Sequence, residues 1–177
     1  MRVSSLGAAL AGLDQIDVGL LVVRVCIGGF LAYHGYNKIF GGGGLSGTAA
    51  WFGSIGMKWP HLQARLAAAT EIGAGLALAF GLFTSLSAAG VIGIMIVAIV
   101  VAHAKVGFFV FLPNQGWEYC ATIALMAWSV GVIGPGRWSL DHALDIHVDG
   151  WTGAIVTTVV GLGSAALLLT TSYRPRS

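Results

Sequence analysis

The strongest constraint in this chain is the placement of ionisable residues within its apolar stretches. Five such stretches fill the sequence, and the first four contain or border Arg24, His34, Lys38, Glu71, His103 and Glu118. Hydrocarbon strongly disfavours these groups, so a charge retained at such a position marks a working site or a required partner. Hydrophobic residues make up 56% of the sequence and charged residues only 9%, and mean hydropathy is +0.85. A water-soluble globule would lack the polar surface it needs, and the composition predicts an integral membrane protein.

The stretches run from Val18 to Phe40, Leu62 to Phe83, Leu86 to Ala104, Gly116 to Ile133 and Ala154 to Thr171, each near the ~20 residues that cross a bilayer as a helix. They lack strand-like alternation, which argues for helices over a barrel. The expected fold is therefore all-α: a polytopic membrane helical bundle with a four-helix core over residues 1–150 and a fifth, C-terminal transmembrane helix over 151–177. That fifth stretch, with Thr152, Thr157 and Thr158, reads as less hydrophobic than the second and third. The stretch after Arg2 is interrupted by Asp14 and Asp17 too soon to read as a signal peptide. Counting basic residues near the spans puts Lys38, Lys58, Arg65, Lys105, Arg174 and Arg176 on one side and Arg2 and Arg137 on the other, which predicts a cytoplasmic location for the first group.

The connectors carry their own signals. Gly41 to His61 joins a run of four glycines to Trp51, Phe52, Trp59 and Pro60, suiting an aromatic segment at the interface. Thr84 and Ser85 leave room only for a tight hairpin. Gly134 to Gly150 opens G-P-G-R-W-S-L-D and predicts a short helix capped by Ser139. A weak repeat pairs Glu71 with Glu118, each followed six residues later by Ala-Leu.

On a helical projection Asp17, Arg24, His34 and Lys38 share an arc of about 100°, with Gly28 and Gly35 at its edge, so this face looks into the bundle. Antiparallel threading brings His34, Lys38, His103 and Glu118 to one membrane face, with Glu71 a turn or two deeper. Glu71 reads as paired either with Arg24, in a structural ion pair on neighbouring helices, or with the His34 and Lys38 layer. Metal ligation is not expected: no H-x-x-x-H, H-E-x-x-H or E-x-x-H occurs within a helix, and the scattered Asp141, His142, Asp145, His147 and Asp149 suit a solvated connector. Net charge is +2, which gives no case for nucleic acid. Cys26 and Cys120 fall at different depths and are not expected to form a disulfide. No C-x-x-C occurs, so the chain encodes no dithiol centre of its own. What remains is an amphipathic pocket of His34, Lys38, Glu71, His103 and Glu118 under aromatic residues, suited to a lipid-soluble molecule with a polar head, such as a quinone, or to a lipid headgroup.

The segments H-G-Y-N-K-I-F-G-G, A-A-A-T-E-I-G-A-G-L-A-L-A-F-G-L-F-T, H-A-K-V-G-F-F, G-W-E-Y and G-P-G-R-W-S-L-D resemble the DoxX family of small membrane proteins over residues 20–145. The resemblance maps the family pattern onto His34, Gly35, Lys38, Glu71, Gly75, Gly81, His103, Glu118, Gly134, Gly136 and Asp141. It implies a four-helix membrane core, with the fifth segment an addition, in a multi-pass protein of a bacterial plasma membrane. It also implies a link to membrane subunits of an archaeal thiosulfate:quinone oxidoreductase and to bacterial complexes handling thiols and oxidative stress. The functional expectation is a membrane subunit that docks a soluble oxidoreductase or thiol-active partner and serves the quinone pool. The alternative is a non-catalytic membrane scaffold or small-molecule or lipid carrier.

Overall fold

The computed structural model describes residues 15–175, so the expectations resting on Arg2, Asp14 and Arg176 lie outside the described residues. The elements are α1 (Gln15–Phe40), α2 (Gly44–Ser54), α3 (Pro60–Phe80), α4 (Thr84–Ala98), which continues as a π turn at Ile99–His103, α5 (Glu118–Ile133), α6 (Leu140–Leu144) and α7 (Gly150–Ser172). Helices α1, α3, α4, α5 and α7 alternate in direction. One end of the bundle, the Asp141 face, carries the start of α1 and helix α6. The other, the Lys38 face, carries the end of α1, helix α2 and the loop 104–117.

Among the described residues, three helices are long and apolar enough to cross a membrane: α1, α4 with its π turn, and α7, at mean hydropathies of 1.9, 2.5 and 1.9. The last stretch is expected to be less hydrophobic than the second and third; α7 does fall below α4, but it qualifies as a span whereas α3 does not. Helix α3 is 21 residues long but holds Gln63, Arg65 and Glu71, while Thr157, Thr170 and Thr171 of α7 turn their hydroxyls onto backbone carbonyls. Thr170 and Thr171 donate to Ala166 and Leu167 within the helix, and the buried Thr157 donates to Ser85 O of α4 at 3.2 Å. Polar atoms satisfied in this way cost little in hydrocarbon.

Small residues set the helix spacing. A Cβ on Gly75 of α3 would lie 2.6 Å from Gly28 O and 2.7 Å from Ala32 N of α1, and one on Gly35 would lie 2.8 Å from Ala68 O. Gly28 and Gly35, and Ala68 and Gly75, are each seven apart, so both pairs return to one seam, where the backbones touch. The same device recurs where Gly90 of α4 meets Ala74 of α3, Gly93 of α4 meets Ser164 of α7, and Gly131 of α5 meets Thr157 of α7. Leu20, Ile27, Leu31, Leu78, Val91, Met95 and Val130 fill the core between these seams. Helix α7 thus packs into the bundle against α4 and α5.

The Asp141 face is stitched shut by the G-P-G-R-W-S-L-D segment. Arg137 pairs with Asp17 through Nε at 2.5 Å, and its backbone N–H donates to the same carboxylate at 2.8 Å. Trp138 O accepts from Nη2 of Arg24 at 2.6 Å. Ser139 caps α6 as the sequence implies, accepting from His142 N–H at 3.1 Å. Asp141, almost wholly buried, accepts from the N–H groups of Phe83 and Thr84 at 2.6 and 2.7 Å, capping α4 from outside its own sequence neighbourhood. Gly81, at φ 64°, closes α3 in the left-handed region and lies flat against the Arg24 guanidinium.

Of the two partners expected for Glu71, the structure takes Lys38 and not Arg24, so the Arg24–Glu71 ion pair does not form. Arg24 is fully buried seven residues from Asp17, held by Trp138 O within the field of Asp141 and Asp17, whereas Glu71 meets Lys38 near the other end. The returning segment 134–141 brings Trp138 O to Nη2 of Arg24 at 2.6 Å, while Nε and Nη1 stay buried without a hydrogen-bond partner among the described residues.

Replacing Gly75 by Val should force α1 and α3 apart and lower unfolding stability in detergent by about 3 kcal/mol or more. Gly73→Val, whose Cβ would meet nothing within 4 Å, should stay within about 1 kcal/mol of wild type. Asp141→Ala removes both caps of α4 and should cost about 2–3 kcal/mol in the same measurement.

Candidate functional site

The groups expected in the pocket reach the Lys38 half of the bundle by distinct local routes. In H-G-Y-N-K, Gly35 sits one turn before Lys38. Because it lacks a side chain, Glu71 of α3 can approach α1, where a Cβ on Gly35 would stand 3.0 Å from Glu71 Cβ. Lys38 Nζ then reaches both carboxylate oxygens, at 2.7 Å to Oε1 and 2.6 Å to Oε2. The Glu71 side chain is 7% exposed and that of Lys38 21%. A pair this dry satisfies the carboxylate with a charge-assisted contact, and removing either partner would leave the other uncompensated.

Helix α4 delivers His103 through the π turn, in which Ala104 N–H bonds Ile99 O at 2.7 Å. A π turn inserts one residue without breaking the helix and so rotates every later side chain about the helix axis. His103 Nδ1 lies 2.7 Å from Gln115 O. A carbonyl can only accept, so Nδ1 carries the hydrogen and Nε2 is the nitrogen that can take or give a proton.

These side chains share a cavity of about 850 Å3, lined by α1, α2, α3, α4, α5 and α7. His34, Lys38, Gln63, Glu71, His103 and Gln115 give its wall a polar section, with Trp51 and Phe52 of α2 beside them. The remaining wall is mostly aliphatic, including Ile27, Leu31, Ile94, Met95, Ile123 and Leu168. Gln63, buried at 5%, and Gln115 are additions that the sequence pattern does not single out. Gln115 enters the site through consecutive left-handed residues, Asn114 at φ 70° and Gln115 at φ 59°, a loop conformation with no reliable sequence signature.

Glu118 does not line this cavity. Its carboxylate turns to the preceding loop, where Oε2 accepts from Val110 N–H at 3.1 Å, and its own N–H donates to Phe108 O at 2.9 Å. The loop folds back on the start of α5, with Phe108 edge-on to Trp117 at 4.7 Å between centroids, and takes Glu118 as its latch. The likeness in sequence between Glu71 and Glu118 therefore covers two different roles.

Both cysteines are free thiols, Cys26 exposed and Cys120 buried, and both border the cavity. Among the described residues, no group of three or more His, Cys, Asp or Glu side chains is placed to hold a metal ion. Asp17, Arg137, His142, His147 and Asp149 border a separate hollow of about 230 Å3 at the Asp141 face.

The DoxX family model matches residues 19–104, the span that carries Lys38, Glu71 and His103. Inner membrane protein YqjF of Escherichia coli (strain K12) is 28% identical over 133 residues, covering 73% of this chain and 94% of that protein. A Bacillus subtilis (strain 168) protein named "Putative oxidoreductase CatD" is 34% identical over 105 residues, covering 59% of this chain and 72% of that protein. No solved structure matches the chain. With its long apolar helices and these relatives, this multi-pass bacterial membrane protein belongs to the DoxX family.

Proposed function

We propose that this protein is the membrane subunit of an oxidoreductase system and binds a quinone-like molecule in the cavity of the Lys38 half. One observation carries the reading: a buried Glu71 paired with a half-buried Lys38 in the wall of an otherwise largely apolar cavity of about 850 Å3, inside the ~300–1,000 Å3 typical of small-molecule sites. The residues fit such a head. Lys38 and a ring N–H of His34 can donate to a ring carbonyl, and the aliphatic wall accepts an isoprenoid tail.

A quinone bound there would supply two-electron, two-proton chemistry. The chain's own residues would orient the head, exclude water and move protons. His103, anchored through Nδ1, can relay a proton at Nε2, and Glu71 can take one if Lys38 shifts its bond to a ligand oxygen. The chain has only two cysteines, on different helices, so electrons would come from a partner carrying a flavin or a thiol pair. The oxidoreductase in the name of the Bacillus subtilis relative supports this class of reaction.

Purified protein in detergent should melt at a higher temperature in decylubiquinone; at about 100 times Kd the gain is about 2.7 kcal/mol. Lys38→Met combined with Glu71→Gln removes both charges while keeping the volume, so the variant should fold and lose most of that gain. An equal gain in the double variant would rule out the pair as the binding group.

A further inference from the structure

We infer that the ligand of this cavity comes and goes sideways, from the bilayer, through the gap between α1 and α5. The inference rests on the proposed binding reading and adds a route to it.

The ends of the bundle offer poor passages. The Asp141 face is tied by Arg137 to Asp17, by Trp138 O to Arg24 and by Asp141 to the start of α4. The Lys38 face is roofed by α2 and by the loop that His103 fastens through Gln115 O. Most seams between helices are no better. α1 meets α3, α3 meets α4, α4 meets α7 and α5 meets α7 at glycines where an added Cβ would collide with the neighbouring helix.

α1 and α5 touch much less than α1 and α3 do. On α1, Phe30 is 62% exposed while lining the cavity, and on α5 Tyr119 and Met126 do the same at 46% and 40%. Cys26, one turn from Phe30, is exposed and also lines the cavity. Side chains open both to the outside and to the cavity frame an opening, and large, rotatable ones can swing aside for a flat ring. A second break, between α3 and α7, is floored by Gly90 and Gly93 of α4 and bordered by Leu66 and Val160, which are likewise exposed while lining the cavity. Its Lys38 end is barred where Lys58 N–H donates to Ser172 O at 2.7 Å and Arg174 N–H to Gly56 O at 2.9 Å.

Cys26 makes the opening testable in the folded protein, without a substitution that might prevent folding. Protein in lipid nanodiscs is reacted with pyrenylmaleimide to a single adduct mapped to Cys26, and decylubiquinone association is followed by stopped flow. The bulky adduct should slow association at least tenfold, whereas the small methylthio adduct at Cys26 should leave it within twofold. Phe30→Ala should speed it, and Val160→Trp, which narrows the groove between α3 and α7, should leave it within twofold. An unchanged rate with the pyrenyl adduct, or equal slowing by Val160→Trp, overturns the route while leaving the binding site standing. Absence of decylubiquinone binding to unmodified protein removes the site and the route together.

Discussion

A carboxylate buried in an apolar bundle must be met by a cation or surrender its charge, and the Lys38 half of this protein is organised around meeting that demand for Glu71. The demand fixes the end of α1 against the first half of α3. It also requires Gly35, because any side chain there would stand between the two helices. The backbone contact at Gly28 and Gly75 continues the same seam and sets its spacing. Charge and small residues thus act together: the glycines permit the approach, and the ion pair favours one register of it.

The two ends of the bundle follow opposite logics. At the Asp141 face every buried charge has been converted into a fastening, with Asp17 holding Arg137, a Trp138 carbonyl holding Arg24, and Asp141 committed entirely to the backbone of α4. At the Lys38 face the ionisable groups stay with the cavity, and the roof is assembled from separate pieces, α2 and the loop 104–117.

Much of this is legible in the residues. The helix ends, the inward face marked by Gly28 and Gly35, and the Ser139 cap follow from periodicity and capping chemistry, because these depend on near neighbours in the chain. The partner of Arg24 is not legible. Depth along a helix says which residues share a level, but not that a returning loop will bring a carbonyl down to that level. Glu118 escapes for a similar reason, since nothing in G-W-E-Y announces that the preceding aromatic loop folds back to claim the carboxylate. The π turn ahead of His103 is equally silent: Ile-Val-Val-Ala-His carries no glycine or proline to mark a change of pitch.

The antiparallel bridge between Met57 and Tyr173 joins the connector after α2 to the segment that ends α7. These two segments are made far apart in the course of synthesis. Met57 N–H of the early connector bonds locally to Phe52 O, whereas Lys58 N–H and Gly56 O find their partners in Ser172 O and Arg174 N–H at the end of α7. Only once α7 has been threaded does the rim of the hollow become continuous. A molecule bound in it is therefore held by a wall that no partial chain possesses, and occupancy becomes a property of the finished protein rather than of its first four helices.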